Sequence, residues 1–407
     1  MSLLITSYKN KLEYCNKTIC RTTNLLVSSV YRYKAQLQDK KAGDNMNITK
    51  LLIAVAITFI STLILVFPVK KIAMKYGFVD SPNSRKIHKR VMPTLGGLAM
   101  FLGTAFGMLY LRPEHPELHS IIFGAILITG VGIIDDKFQI RPLTKLTGQL
   151  GAATIAISGG VIIEKITLPF IGLIEFNQGF AIVITVLWIV GITNAINLID
   201  GLDGLASGVT TIGLISILVM SIIDSNIIVI YLASLLIATN IGFLFHNFYP
   251  AKIYMGDTGS MFLGYSIAVI STLGLFKNVT LFSFIIPIII LAIPIFDTLF
   301  SIVRRVVAGE SILKADRKHI HYRLLESGFS HRSTVLIIYG FAAIFGLIAI
   351  LFSQVSLIMT LVLTITLLLL LQAFAEITGV VGDGKMPLIK TVHRTFKREK
   401  VQYKRNH

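Results

Sequence analysis

The chain has 407 residues, 54% of them hydrophobic and only 14% charged, with a mean hydropathy of +0.75. Soluble domains carry about 25% charged residues, so a soluble fold is excluded and the expected class is an all-α, polytopic membrane protein. A formal net charge of +17 would suit nucleic acid, but most of it lies in loops on one side of the apolar runs, as membrane orientation requires, and no nucleic-acid partner is expected.

In chain order, residues 1–45 come first. They are basic, they contain both cysteines (Cys15 and Cys20), and they lack the apolar core of a secretory signal. Met46 stands directly before the first hydrophobic run. Residues 1–45 are therefore read either as a segment outside the native product, with translation starting at Met46, or as a true extension. Apolar runs long enough to span a bilayer, about 17 to 25 residues each, follow at about 51–68, 95–111, 120–134, 146–163, 179–196, 205–223, 227–245, 260–275, 281–303, 334–352 and 356–375. That makes eleven spans in a transmembrane domain of residues 46–375, followed by a basic tail, 376–407. The cysteine-free body has no thiol chemistry and no cysteine-ligated metal.

Lysine and arginine orient the bundle. Loops 69–95, 135–145, 246–258 and 304–333, with the tail, hold 26 of them, while the opposite loops hold Arg112, Lys165 and Lys277. The basic side is predicted to be cytoplasmic, in the plasma (inner) membrane.

Carboxylates are costly near hydrocarbon and are kept there chiefly for ion, proton or substrate chemistry. The first cluster ends the third span: Asp135-Asp136, with Lys137, Arg141 and Lys145 following. Interleaved bases favour a metal and phosphate site, although such a pair can also cap a helix end. In NAINLIDGLDGLASG, Asn194, Asn197 and Asp200 recur every three residues and neighbour one another on a helix. Gly201 and Gly204, flanking Leu202 and Asp203, interrupt that helix and let backbone approach a ligand. Oxygen donors at this density suit Mg2+, which is usually shared with substrate phosphates. A small-residue packing seam would explain the glycines but not the amides and carboxylates.

In HNFYPAKIYMGDTGS, a Gly-rich turn opens the eighth span, so free N–H groups are expected there for an anion, with Asp257 holding the bridging metal. Asn247 could read the edge of a flat heterocycle and Tyr254 could stack on it, although an interfacial tyrosine alone also fits a membrane belt. The loop RRVVAGESILKADRKHIHYRLLESGFSHR surrounds His319 and His321 with Arg304, Arg305, Lys314, Arg317, Lys318, Arg323 and Arg332. With no cysteine and no third ligand, the two histidines fit closure over phosphates better than zinc.

Five ordered motifs, DSPNSRKIHKRVMPTLGG, DDKFQIRPLTK, NAINLIDGLDGLASG, FHNFYPAKIYMGDTGS and DRKHIHYRLLESGFSHR, carry a resemblance over about residues 46–375. The chain resembles the bacterial polyprenyl-phosphate N-acetylhexosamine-1-phosphate transferases, in the form that uses undecaprenyl phosphate and N-acetylglucosamine and starts teichoic acid, O-antigen or enterobacterial common antigen synthesis. The cousin that transfers phospho-N-acetylmuramoyl-pentapeptide has three consecutive histidines where this chain has His319-Ile320-His321. The resemblance implies transfer of N-acetylglucosamine 1-phosphate from UDP-N-acetylglucosamine to undecaprenyl phosphate, releasing UMP, with Mg2+ required and Mn2+ as a substitute. Asp135 and Asp136 match the family's Asp pair, and with Asp200 and His321 form the catalytic set. Asn197 and Asp257 match its metal positions and Lys145 its phosphate-contacting lysine. Asn247, Asp203 and Tyr254 match positions that receive uracil. His319, His321 and Arg323 match the loop over the diphosphate and sugar, and Asn194, Gly201 and Leu202 complete the substrate set. Tyr322 departs from the family, which usually has a second adjacent histidine there, so more weight falls on His321.

The chemistry agrees. One phosphoanhydride replaces another, so the task is to bring two anionic phosphates together, which needs cations more than a strong base. Asp135 either takes a residual proton from the lipid phosphate or attacks to form an acyl phosphate. A homodimer is one option for assembly. A secondary transporter of an anionic solute is the alternative from another class, but transporter sites lie at the bilayer midplane, often in repeated halves; here the acids gather at one face and no repeat is present.

Overall fold

The computed structural model describes residues 46–80, 91–168, 172–276, 285–307, 309–310, 319–352 and 357–377. Residues 1–45 with both cysteines, most of the DSPNSRKIHKR motif, Lys277, Lys314, Arg317, Lys318 and the basic tail lie outside the described residues. The helices are α1 (Ile48–Tyr76), α2 (Gly96–Leu111), α3 (Leu118–Phe138), α4 (Pro142–Ser158), α5 (Gln178–Ile199), α6 (Leu205–Ile223), α7 (Ile227–Asn247), α8 (Gly256–Ser271, prolonged by a π-helical turn Thr272–Phe276), α9 (Ile285–Ile290), α10 (Ala292–Val307), α11 (Ile320–Glu326), α12 (His331–Phe352) and α13 (Leu357–Ile377).

Each expected apolar run contains a helix among the described residues, and six of these helices are long and apolar enough to cross a membrane. The fold is an all-α polytopic membrane protein. The expected span at 281–303 is divided: α9 ends at Ile290 and α10 begins at Ala292. Pro294 has no N–H to give the Ile290 carbonyl, so the helical ladder fails at that turn. Three small elements were not legible in the sequence. They are the antiparallel pair β1 (Val79–Asp80) with β2 (Met92–Pro93), the hairpin β3 (Lys165–Leu168) with β4 (Gly172–Glu175), and the seven-residue α11.

The core is built around α8, whose residues Thr258 to Ser271 are all buried. It packs against α5, α3 and α2. Lipid tails are as apolar as leucine, so close backbone approach rather than hydrophobic exclusion draws such helices together. A Cβ on Gly264 of α8 would lie 2.6 Å from the Thr193 Cα of α5, and one on Gly132 of α3 would lie 2.5 Å from the Thr258 Cα. Polar groups lock the seams: the Tyr265 hydroxyl donates to the Ile121 carbonyl at 3.2 Å, and the Trp188 indole N–H donates to Ser271 Oγ at 3.0 Å. By contrast, Leu52, Ile60, Ile64 and Phe67 of α1 are more than half exposed, as suits a surface bathed in lipid. This packing brings the C-terminal ends of α3, α5 and α7 and the N-terminal end of α8 to one place.

Candidate active site

At that junction lies a cavity of about 610 Å3. Ten of the residues singled out in the sequence line it: Asp135, Asp136, Asn197, Asp200, Gly201, Leu202, Asp203, Asn247, Tyr254 and Asp257. They come from α3, the end of α5 and the α5–α6 turn, the end of α7 and the α7–α8 connection, and the first turn of α8. Segments separated by more than 100 residues thus converge as their motifs suggested.

Lys145, one turn into α4, holds the middle of the acidic wall. Its ammonium lies 2.9 Å from Asp135 Oδ2 and 3.0 Å from Asp257 Oδ1, and it donates to Asn197 Oδ1 at 3.1 Å. Asn197 in turn donates to Asp257 Oδ1 and, at 2.8 Å, to Ser260 Oγ. Asp135 is nearly buried, and its second oxygen accepts the Ile140 N–H at 2.9 Å.

Asp136 corrects one expectation. The Asp257 and Thr258 N–H groups at the start of α8 are not free for an external anion. Asp136 Oδ1 accepts from Asp257 N at 2.8 Å, and Oδ2 accepts from Thr258 N at 3.0 Å and from Thr258 Oγ1 at 2.5 Å. The helix has no cap of its own, since Met255 at the N-cap position makes no side-chain bond; a carboxylate from α3 meets the orphan donors and the positive end of the helix instead. Capping, weighed above for the Asp pair, is therefore what Asp136 does, at a helix remote in sequence. Gly256, at φ +71°, is needed here because a Cβ would stand 2.6 Å from both Asp136 oxygens.

Asp200, Gly201 and Gly204 break the chain between α5 and α6. Gly204 has φ +79°, a conformation that suits glycine. Its N–H donates to Asn247 Oδ1 at 3.0 Å, and Asn247 Nδ2 donates to the Ile253 carbonyl at 3.0 Å. Asn247 thus lines the cavity but spends its amide on two backbone segments. Asp203 Oδ2 accepts from Ala251 N at 2.9 Å. Tyr254 is held by backbone bonds to Pro93 and Gly96, and its phenol is pushed up to about 12 by burial, with further contributions from the Asp203 and Asp200 charges.

The remaining expected residues stand behind the wall. Asn194 does not reach the cavity: its amide pairs reciprocally with Gln149 of α4, at 3.1 and 2.7 Å, because one helical turn carries it away from Asn197 toward the α4–α5 seam. His319, His321 and Arg323 do not line the cavity either; Tyr322 and Leu325 of α11 do. His321 is almost fully buried, among the described residues neither of its ring nitrogens has a hydrogen-bond partner, and burial pushes the imidazole down to about 4. A Cβ on Gly201 would lie 2.2 Å from its Nε2. Tyr249 and His331, stacked at 4.3 Å, also line the cavity. Both stand inside the quoted motifs, but neither was singled out, because an aromatic ring carries no charge to mark it and only the folded chain joins the two.

The electrostatics decide what such a cavity can hold. Five aspartates line it, at positions 135, 136, 200, 203 and 257, and among the described residues one lysine, Lys145, reaches into their midst. The Asp200 carboxyl is pushed up to about 8, first by burial and then by the Asp257, Asp136 and Asp203 charges. Among the described residues negative charge is therefore in excess, and it fits a divalent cation. Among the described residues no three His, Cys, Asp or Glu side chains converge closely enough to hold a metal alone. A hard cation that completes its shell with water and ligand oxygens suits that incomplete donor set.

Residues 118–275 match the family described as glycosyl transferase family 4. A relative from Bacillus subtilis, named a probable undecaprenyl-phosphate N-acetylglucosaminyl 1-phosphate transferase, is 45% identical over 351 residues, covering 86% of this chain and 98% of the relative. The chain belongs to glycosyl transferase family 4. The family match begins with α3 and ends in the π-helical turn after α8, so it takes in the four segments that make the acidic wall. A decaprenyl-phosphate N-acetylglucosaminephosphotransferase of Mycobacterium tuberculosis is 36% identical over 319 residues, 71% of this chain and 78% of the relative. The undecaprenyl-phosphate alpha-N-acetylglucosaminyl 1-phosphate transferase of Escherichia coli K12 is 28% identical over 307 residues, 72% and 81% respectively. As a member of this family, the protein is a membrane-embedded glycosyl-1-phosphate transferase.

Proposed function

We propose that the cavity transfers N-acetylglucosamine 1-phosphate from UDP-N-acetylglucosamine to undecaprenyl phosphate, giving the lipid-linked diphospho-sugar and UMP, as the first membrane step of a surface glycopolymer. The observation that carries this reading is the Lys145 ammonium held between Asp135, Asp257 and Asn197 on a wall of five aspartates. Two anionic phosphates can meet there only if cations neutralise them. Lys145 supplies one, and Asp257 and Asn197, with Asp200 beside them, are the residues that would hold Mg2+. When bound, the ion supplies charge neutralisation for the phosphates. The names of the relatives support the lipid and sugar assignments.

In this reading Lys145 holds Asp257 and Asn197 in place and neutralises phosphate as it arrives. Both oxygens of Asp135 are engaged, by Lys145 and by the Ile140 N–H, which favours direct displacement by the lipid phosphate over attack by Asp135. A phosphate monoester with a second pKa near 6 is largely dianionic at neutral pH and needs little help from a base. The cavity is assigned to the cytoplasmic side, supported by the lysine and arginine excess on its loops.

The test incubates the purified protein with labelled UDP-N-acetylglucosamine, undecaprenyl phosphate and Mg2+, and follows lipid-linked label and UMP. Asp257→Asn is expected to abolish turnover while leaving the protein folded and inserted, since a charged ligand is replaced by an amide. Near-wild-type turnover of that variant at ordinary Mg2+ would refute the assignment.

A further inference from the structure

Asp297 lies on α10 within an apolar segment and is 3% exposed. A carboxylate in such a place is costly unless it has a task. Both of its oxygens are turned to one partner segment: Oδ2 accepts from His319 Nδ1 at 2.9 Å and Oδ1 accepts from Ile320 N at 3.0 Å. His319 is the N-cap of α11, yet its own side chain makes no cap bond. The acceptor for the first turn comes instead from a different helix, 23 residues upstream of Ile320.

This has a chemical consequence. A carboxylate oxygen only accepts, so Nδ1 of the His319 imidazole carries a proton and Nε2 is the nitrogen that Asp297 does not engage. The His319 ring lies parallel to that of His321, with centroids 5.9 Å apart and an interplanar angle of 3°. His321 in turn packs its Nε2 against Gly201 of the cavity wall. A continuous line of contacts therefore runs from Asp297 through His319 and His321 to Gly201.

We propose that Asp297 is a positioning residue: it sets the tautomer and ring orientation of His319 and thereby the placement of the His319–His321 pair behind the cavity. The proposal rests on the reading that this pair serves the transfer reaction.

The full chain, purified in detergent, is compared as wild type, Asp297→Asn, His319→Ala and the double variant, with kcat/KM for UDP-N-acetylglucosamine and the thermal unfolding midpoint as readouts. In Asp297→Asn the amide oxygen still accepts the Ile320 N–H, so the midpoint is expected to hold. The amide N–H now faces Nδ1, turning the imidazole to the other tautomer. kcat/KM is expected to fall about tenfold to a hundredfold, the range seen when an imidazole loses the group that orients it, and the double variant to fall no further than His319→Ala alone. Wild-type kcat/KM in Asp297→Asn, or losses that multiply in the double variant, would overturn the positioning role. Wild-type activity in His319→Ala would instead overturn the reading of the histidine pair, and the proposal with it. If Asp297→Asn lowers the midpoint, His319→Asn carries the test, because its side-chain N–H still reaches Asp297 while Nε2 is gone. A loss of about tenfold or more at a wild-type midpoint supports the proposal, and wild-type kcat/KM overturns it.

Discussion

Gly201→Ala isolates the geometry of the cavity wall with one methyl group. Gly201 is not among the glycines with positive φ, so alanine meets no backbone strain there and acts only through contact. Its Cβ would lie 2.2 Å from His321 Nε2, 2.7 Å from Cε1 and 3.1 Å from Cδ2. Restoring ordinary contact, about 3.5 Å, requires a retreat of roughly 1.3 Å. The ring cannot swing into open space, because His321 is 1% exposed and is flanked by His319 and Tyr322. Either α11 or the turn after α5 must shift. A displacement of about 1 Å near a reacting centre costs on the order of a hundredfold in rate, equivalent to about 2.7 kcal/mol of barrier. Overpacking of this kind also destabilises, typically by about 1 to 3 kcal/mol. The assay is release of UMP from UDP-N-acetylglucosamine in undecaprenyl phosphate micelles, with the unfolding midpoint measured alongside. Gly201→Ala/His321→Ala should recover the midpoint but not the rate. A single Gly201→Ala variant with the wild-type rate would refute the claim that the contact between His321 and the turn matters for transfer.

Asp136→Ala leaves the Asp257 and Thr258 N–H groups at the start of α8 without their acceptor. It should cost about 1 to 2 kcal/mol of stability, read as a lower unfolding midpoint in detergent, and it should lower activity through displacement of Asp257. An unchanged midpoint would remove the cap from the account. The raised Asp200 carboxyl gives a pH dependence with a definite sign. Below about 8 the cation-free protein holds a proton there, which a cation must displace. The Mg2+ concentration for half-maximal rate should therefore fall by up to tenfold per unit as pH rises toward 8 and level off above it; titration of the rate with Mg2+ at several pH values checks this, and a requirement that rises with pH contradicts it. For topology, a cysteine introduced at Tyr322 should be labelled only from the cytoplasmic side and one at Leu173 of the β3–β4 hairpin only from outside, and the opposite pattern would invert the orientation.

Most of the membrane scaffold was legible in the chain itself. Apolar run length is a local property, set by bilayer thickness, so each expected run holds a helix among the described residues near its expected place. The acidic clusters were legible for a related reason: a carboxylate beside hydrocarbon needs a purpose, and Asp135, Asp200 and Asp257 stood out against their surroundings. Pairing could not be read in the same way, because it depends on which helices touch. Asn194 and Asn197 look equivalent in sequence, yet one turn of α5 sends the first to Gln149 and the second to Asp257 and Lys145. Asp136 looks equivalent to Asp135 in the sequence, but the start of α8 arrives against it and claims both of its oxygens. Asp297 stands alone in an apolar run, and only the return of the chain at His319 gives it a partner. The sequence by itself determined the membrane class, the long apolar helices and the stock of charged groups, because those follow from local composition and period. The tertiary structure alone decided which of the groups face the cavity and which hold the wall, because a hydrogen bond between distant helices depends on angstrom-scale packing that no local pattern encodes.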